Sequence, residues 1–163
     1  MTTTFTTNFY ILDQDKQLAR ARIAELEREI LQLGPAFHDA LNQTSETWHD
    51  NAPFDALRER QAVLAAELQH LKEILSKSAP SVPTKAHNGV HIGARVRLQH
   101  IGKQALHHYL LAGHWSYRLG EIIDNAMVIS CQSPLGAALL GRSLGDIVTL
   151  PNKQQLAIIG IDE

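Results

Sequence analysis

A long interval in the first half of the chain carries acidic side chains and no Lys or Arg. The charged side chains between Arg28 and Arg58 are all acidic, unless the histidines in this interval protonate. The acids are Glu29, Asp39, Glu46, Asp50 and Asp55. Carboxylates at a helix start can cap the helix and interact favourably with its dipole. That interpretation fits Asp50 and Asp55 individually, but it does not account for an interval with no compensating base.

Histidine and cysteine are the other residues that could bind a metal ion or act in catalysis. His100, His107, His108 and His114 fall around one predicted strand. Neighbouring residues on a strand point to opposite faces, so His107 and His108 cannot easily share a metal ion, and surface histidines are favoured. Cys131 is the lone cysteine, which excludes an internal disulfide and a Cys-rich zinc site. No acid–base partner accompanies it, which favours a packing residue over a nucleophile.

Two apolar stripes predict the elements that position the acids. The first stripe comprises Ile23, Leu26, Ile30, Leu33, Phe37 and Leu41, and the second comprises Leu57, Leu64, Leu68, Leu71 and Leu75. Steps of three and four residues place each stripe along one face of a helix, and polar Gln61 occupies one position of the second seam. Gly34-Pro35 predicts a kink or a local break in the first helix.

Neither stripe can be buried by its own helix, so the pattern favours an antiparallel hairpin with arms of roughly 40 Å. We expect the hairpin to span 1–77, with an acidic tip near 42–52. Asp50 or Asn51 is the expected N-cap of the second helix, and Pro53 suits its opening turn. Residues 78–88 contain two prolines and several small polar residues, which is typical of a linker.

From Val90 onward the apolar period changes to two, which indicates strands. The expected strands are Val90–Gln99, Ala105–Leu111, Ala126–Ile129, Ile147–Leu150 and Gln155–Ile161. Between them, Ser133 as N-cap, Pro134 at the first position and Gly141 beyond the end predict one short helix. Residues 89–163 therefore predict a small α+β domain with the helix on one face of an antiparallel sheet.

Composition excludes several classes of protein. The net charge of −2 argues against simple charge-driven binding to nucleic acid, which needs clustered Lys and Arg. The apolar runs are too short to span a bilayer, and the N-terminus lacks the pattern of a secretory signal. We therefore expect a soluble cytoplasmic protein that does not associate with membranes.

Two segments resemble one known family. Residues 128–148, VISCQSPLGAALLGRSLGDIV, are similar to the C-terminal domain of the bacterial Gre transcript-cleavage factors. In that family a short strand, a Ser-Pro-hydrophobic turn, a short helix ending in Gly, and a Gly-Asp before a strand recur in this order. Residues 50–61, DNAPFDALRERQ, resemble the tip motif of the same family in the expected position.

The resemblance implies a fold and a partner. It implies a coiled-coil finger that enters the secondary channel of bacterial RNA polymerase, and an FKBP-like C-terminal domain that docks at the channel rim. By this resemblance the docking turn consists of Gln132, Ser133, Pro134 and Leu135. Two tip acids would share Mg²⁺ with the polymerase active centre, close to the nascent RNA 3′ end, and the cleavage would be the polymerase's own. The chain would thus be a monomer with no cofactor bound alone, and no enzyme by itself.

Carried over position by position, Asp50 matches the second tip acid of the family. The first acid falls on Thr47, whose hydroxyl is a weaker Mg²⁺ ligand, and neighbouring Glu46 can substitute if the loop register differs. Trp48, Asn51 and Arg58 are the further tip contacts that the resemblance implies. For Arg58 the alternative is an ion pair with Asp55 or Asp50 at the helix start.

Three functional hypotheses follow. The chain either stimulates cleavage of backtracked RNA through Asp50 with Glu46, or it occupies the channel and inhibits or modulates transcription without cleavage. A third hypothesis is prolyl isomerase activity, suggested by the FKBP-like fold. Such a pocket needs an aromatic lining, and the second domain offers only Tyr109, Trp115 and Tyr117, all in one neighbourhood.

Overall fold

The computed structural model describes residues 8–42, 52–83 and 89–162. The described residues form two compact units. One is helical and comprises residues 17–77 apart from the tip, and the other contains a sheet and comprises residues 8–16 together with 78–162. No helix among the described residues is long and apolar enough to cross a membrane.

The helical unit is built from α1 (Asp13–Asn42) and α2 (Ala52–Lys77). Contacts between the two helices pair the end of one with the start of the other. Near the tip, the rings of Phe37 and Phe54 meet edge to face with centroids 5.4 Å apart. Farther from the tip, Arg22 Nε and Nη2 donate to the two carboxylate oxygens of Glu67 at 2.9 and 3.0 Å. The antiparallel hairpin expected from the stripes is therefore confirmed, and Pro53 lies in the first turn of α2 as expected.

Four of the eleven stripe residues are buried where the spacing places them, and six more are half-buried. Leu26 and Leu33 of α1 and Leu64 and Leu71 of α2 are each less than a tenth exposed. Leu41 departs furthest from the expected burial, because it is 58% exposed while Ala40 is buried in its place. A step of seven from Leu33 to Ala40 keeps the buried face in line over two turns, whereas a step of eight rotates away from it.

The expected break at Gly34-Pro35 does not occur, since α1 continues through Pro35. A proline inside a helix forfeits one backbone hydrogen bond. On either side of it, however, Leu33 is buried and Phe37 packs on Phe54, and these contacts hold the helix together. A kink at this position stays a prediction.

The second unit is a six-stranded sheet with one short helix. Its elements are β1 (Arg95–His100), β2 (Leu106–Ala112), β3 (Ile122–Ile123), β4 (Ala126–Ser130), α3 (Pro134–Leu139), β5 (Ile147–Thr149) and β6 (Gln155–Asp162). The strand order is β3-β4-β2-β1-β6-β5. All neighbours are antiparallel except β2 and β4, which run parallel, so the expected α+β fold with a mostly antiparallel sheet is confirmed.

The core of this unit follows the period-two pattern. Val90, Ile92, Ala94, Val96 and Leu98 are all buried, and Leu139 of α3 packs into the same cluster. Regular pairing nevertheless begins only at Arg95, because Gly93 adopts a positive φ in a turn. The alternation predicted which side chains are buried but overestimated the length of the strand.

The segment that follows α2 is packed rather than free. Ala79 N donates to Phe9 O at 2.8 Å, and Lys16 Nζ donates to the carbonyls of Ala79 and Pro80, both at 2.9 Å. Val82 contacts the sheet core. The expected linker of 78–88 is therefore wrong for residues 78–83, and the hairpin boundary is wrong for residues 8–16, which belong to the sheet unit. The prolines leave this segment without a periodic apolar pattern, so the sequence did not indicate its packing. Residues 78–83 are ordered instead by main-chain hydrogen bonds and by the buried ammonium group of Lys16.

Candidate functional site

The acidic tip expected from the sequence lies outside the described residues. Glu46, Thr47, Trp48, Asp50 and Asn51 all fall there. Their roles, including the proposed sharing of Mg²⁺ by Asp50 and Glu46, stay predictions, as does the N-cap of α2. The described residues contain no cluster of His, Cys, Asp or Glu that could hold a metal ion.

Arg58 is the one expected tip contact that the structure describes. It lies in the second turn of α2 and is exposed. It forms no ion pair with Asp55, and no other described residue forms one with it. The Asp55 pairing is therefore wrong, and the guanidinium is directed to solvent at the end of the hairpin that adjoins the tip.

The stem of the hairpin is held by a cluster of charges around Arg22. Besides its two bonds to Glu67, Arg22 lies 3.3 Å from Glu25 and 3.1 Å from Glu29. These carboxylates, Glu67 first, raise the pKa of Arg22 above its ordinary value. Lys72 adds a second link between the helices through Glu27 at 2.7 Å. A two-pronged Arg–carboxylate contact has a narrow geometry, so it favours one relative alignment of the two helices.

The expected docking turn is a hydrogen-bonded, partly exposed corner between β4 and α3. Ser133 caps α3 by accepting a hydrogen bond from Gly136 N at 3.0 Å, and its hydroxyl donates to Ser130 O at 2.8 Å. Pro134 occupies the start of the helix, as expected. Gln132 and Pro134 are exposed while Leu135 is half-buried, so the turn presents one amide and one ring to solvent.

A glycine makes this corner possible. A Cβ built at Gly136 would lie 2.0 Å from Ser130 O, a distance that no side chain tolerates. The first turn of α3 can therefore pack onto the end of β4 only with glycine at this position. Gly141, with φ +78°, follows the helix as expected.

An apolar groove of about 440 Å³ lies beside the docking turn within the sheet unit. Its lining includes Tyr10, Val90, Cys131, Gln132 and Leu140. Cys131 is 6% exposed, and burial raises the pKa of its thiol, in agreement with its interpretation as a packing residue.

The groove offers no support for a prolyl isomerase site. None of Tyr109, Trp115 and Tyr117, the aromatic residues expected to line such a pocket, lines it. Trp115 and Tyr117 instead pack edge to face on each other, with ring centroids 4.7 Å apart. Tyr109 stacks on His107, with ring centroids 6.3 Å apart.

Sequence reasoning missed a buried ion pair in the sheet unit. Arg118 Nε and Ser116 Oγ both donate to Asp15 Oδ1 at 2.8 Å, and Arg118 Nη1 donates to Gln14 Oε1 at 2.7 Å. Asp15 is fully buried and Arg118 is 6% exposed. The partners lie more than a hundred residues apart, and neither has a distinctive neighbour in the sequence, so no local signal predicted the pair.

His107 and His108 lie on opposite faces of the sheet, as the strand geometry predicted. His107 pairs in register with Leu98, and His108 pairs with Arg97, so the two rings lie on opposite faces of the sheet. His114 packs elsewhere, where its Nδ1 accepts a hydrogen bond from Tyr10 N at 3.0 Å.

Comparison with known proteins gives one family. Residues 85–163 match the family "Transcription elongation factor, GreA/GreB, C-term". Transcription elongation factor GreA of Helicobacter hepaticus is 33% identical over 106 residues, which are 63% of this chain and 62% of that protein. GreA of Paracoccus denitrificans is 27% identical over 153 residues, covering 88% of this chain and 95% of the relative. Transcription inhibitor protein Gfh1 of Thermus aquaticus is 27% identical over 140 residues, which cover 84% of this chain and 86% of that protein.

The helical hairpin thus precedes a sheet unit that contains most of the matched segment 85–163. Residues 85–163 match the GreA/GreB C-terminal family, and the chain is similar to proteins named GreA and Gfh1.

Proposed function

We propose that this protein binds bacterial RNA polymerase through its secondary channel and stimulates cleavage of backtracked RNA. In this proposal the hairpin carries the tip acids Asp50 and Glu46 to the nascent RNA 3′ end. The docking turn, Gln132–Leu135, contacts the rim of the channel. The chain acts as a monomer and has no catalytic activity without the polymerase.

One observation carries the proposal: the two helices that bracket the tip pair along their length, in a chain that ends in a Gre C-terminal domain. A 26-residue helix such as α2 is about 39 Å long. Paired helices of that length can carry the residues between them well away from the opposite end of the hairpin. Arg58, exposed and without a described partner, lies next to those residues.

Hydrolysis of a phosphodiester bond at a two-metal site requires stabilisation of both the attacking and the leaving oxygen. Mg²⁺ in the polymerase active centre would supply that stabilisation, and it prefers hard oxygen ligands such as carboxylates. Asp50 and Glu46 would contribute such ligands. An uncompensated acidic interval is then a requirement of the tip, because a nearby Lys or Arg would compete with the metal for the carboxylates.

A second candidate function is inhibition of transcription by occupation of the channel. The observation in its favour is Thr47, which stands where the resemblance places the first tip acid. Similarity to a protein named as a transcription inhibitor, 27% identical over 140 residues, supports this alternative as well.

A transcript-cleavage assay on stalled elongation complexes distinguishes the two functions. We expect added protein to shorten the RNA from its 3′ end, and Asp50→Ala to reduce the cleavage rate at least tenfold without loss of polymerase binding. Asp39→Asn is the matched control, because Asp39 is an exposed acid of α1 outside the tip, and it should cleave like the wild type. Binding without cleavage in the wild-type protein would reject the first function and leave inhibition.

A further inference from the structure

We infer that Ser130 is a positioning residue that holds the docking turn in its binding-competent form. The inference rests on the proposed function, since it assigns to one hydroxyl the task of orienting Gln132 and Pro134 towards the polymerase.

Ser130 is the last residue of β4, at the point where the chain leaves the sheet and enters the turn. Its Oγ accepts a hydrogen bond from Gln132 N at 3.1 Å and donates one to Gly113 O at 3.3 Å. Gly113 directly follows β2, the neighbour of β4 in the sheet. One hydroxyl thus ties the first exposed residue of the turn to the end of an adjacent strand.

The main chain of Ser130 supports the remainder of the turn. Its carbonyl accepts hydrogen bonds from Ser133 N at 3.1 Å and from Ser133 Oγ at 2.8 Å. These bonds persist whatever side chain residue 130 carries. The separate contribution of the hydroxyl is therefore to connect Gln132 N to Gly113 O, which orients Gln132.

Loss of the hydroxyl should affect recognition more than folding. Gln132 is exposed, so water can replace the hydrogen bond to its N–H at small cost. The turn then samples more conformations, and a partner must order it again on binding, which lowers affinity. An ordinary hydrogen bond corresponds to about a fivefold change in an equilibrium constant.

The test uses two variants of nearly equal shape, Ser130→Thr and Ser130→Val. Threonine keeps the hydroxyl and valine replaces it with a methyl group, and both are β-branched residues that suit the end of a strand. We expect Ser130→Val to weaken polymerase binding about fivefold and to accelerate hydrogen exchange at the Gln132 amide about fivefold. Ser130→Thr should match the wild type in both measurements. Ser143→Val, at an exposed serine of the same unit, is the control and should change neither.

The two measurements separate this inference from the proposed function. If the wild-type protein fails to bind polymerase, the proposed function is wrong, and amide exchange still shows whether Ser130 orders the turn. If the wild type binds and the threonine and valine variants behave alike, the inference is overturned while the proposed function stands. A lower melting temperature for valine with unchanged affinity would also overturn it, because the role would then be structural only.

Discussion

At the scale of single residues, the Asp15–Arg118 ion pair has the largest expected energetic consequence. A buried pair adds little stability compared with well-packed apolar residues, but removal of one partner leaves an uncompensated buried charge. Asp15 has no exposed surface through which water could replace the guanidinium. The Oδ2 atom of Asp15 and the Nη2 atom of Arg118 already lack hydrogen-bond partners among the described residues.

Arg118→Met should therefore lower the free energy of unfolding by about 3–5 kcal/mol. Urea denaturation followed by circular dichroism measures it. Arg142→Met is the control, because Arg142 is exposed and its replacement should change stability by less than about 0.5 kcal/mol. Equal effects of the two substitutions would mean that the charge of Asp15 is solvated or otherwise compensated.

Cys131 gives a prediction about pH. Burial raises the pKa of its thiol above the ordinary value, and only the thiolate reacts with iodoacetamide. In the folded protein we expect the pH–rate profile for alkylation to lie at higher pH than in urea. In urea the thiol should have the ordinary cysteine pKa of about 8.5. The folded state retains the proton longer, so the free energy of unfolding should fall as pH rises through the thiol pKa of the unfolded chain. Coincident profiles in native and urea-unfolded protein would contradict the buried position.

At the scale of elements, the paired helices depend on a narrow apolar seam. Leu26 has no exposed surface, whereas Leu31, five residues along α1, is 77% exposed. The two leucines allow the same substitution to be made inside and outside the seam.

Leu26→Ala should destabilise the protein by about 2–5 kcal/mol through lost burial and the cavity left behind, and Leu31→Ala by less than about 0.5 kcal/mol. Thermal and urea unfolding monitored by helical circular dichroism provide the comparison. Similar losses for both variants would show that the seam does not follow the observed face of α1.

The elements also show how far local patterns can predict this fold. Spacing predicted the paired helices, and cap chemistry predicted α3 from Ser133 and Pro134, because both signals are local. Strand β3 was missed, although Asp124 and Asn125 adopt φ of 47° and 64° in a two-residue turn of the kind that joins hairpin strands. A strand of two residues is too short to show an alternating apolar pattern. Only the turn residues Asp124 and Asn125 could have predicted β3.

Other features lie beyond any local pattern. The packing of residues 78–83 and the Asp15–Arg118 pair both depend on partners far apart in the chain. The candidate site divides in the same way. The cap of α3 in the docking turn was predicted from Ser133 and Pro134. The docking role of the turn remains a prediction from resemblance, as do the roles of the tip residues, which lie outside the described part of the chain.

At the scale of the whole molecule, the proposed function gives the two units separate tasks. The helical unit supplies two paired helices on either side of the acidic tip residues, and the sheet unit supplies a turn hydrogen-bonded through Ser130 and Ser133 and packed at Gly136. Among the described residues neither unit has a metal-binding cluster, and Tyr109, Trp115 and Tyr117 do not line the apolar groove beside the docking turn. Both units are expected to act on the same partner.

The most direct test of that claim is binding to purified bacterial RNA polymerase, measured by co-elution and by titration at physiological salt. We predict a saturable complex with one copy of the protein per polymerase, formed by the wild type and by Asp50→Ala alike. Absence of any complex at micromolar concentrations of both partners would contradict the account.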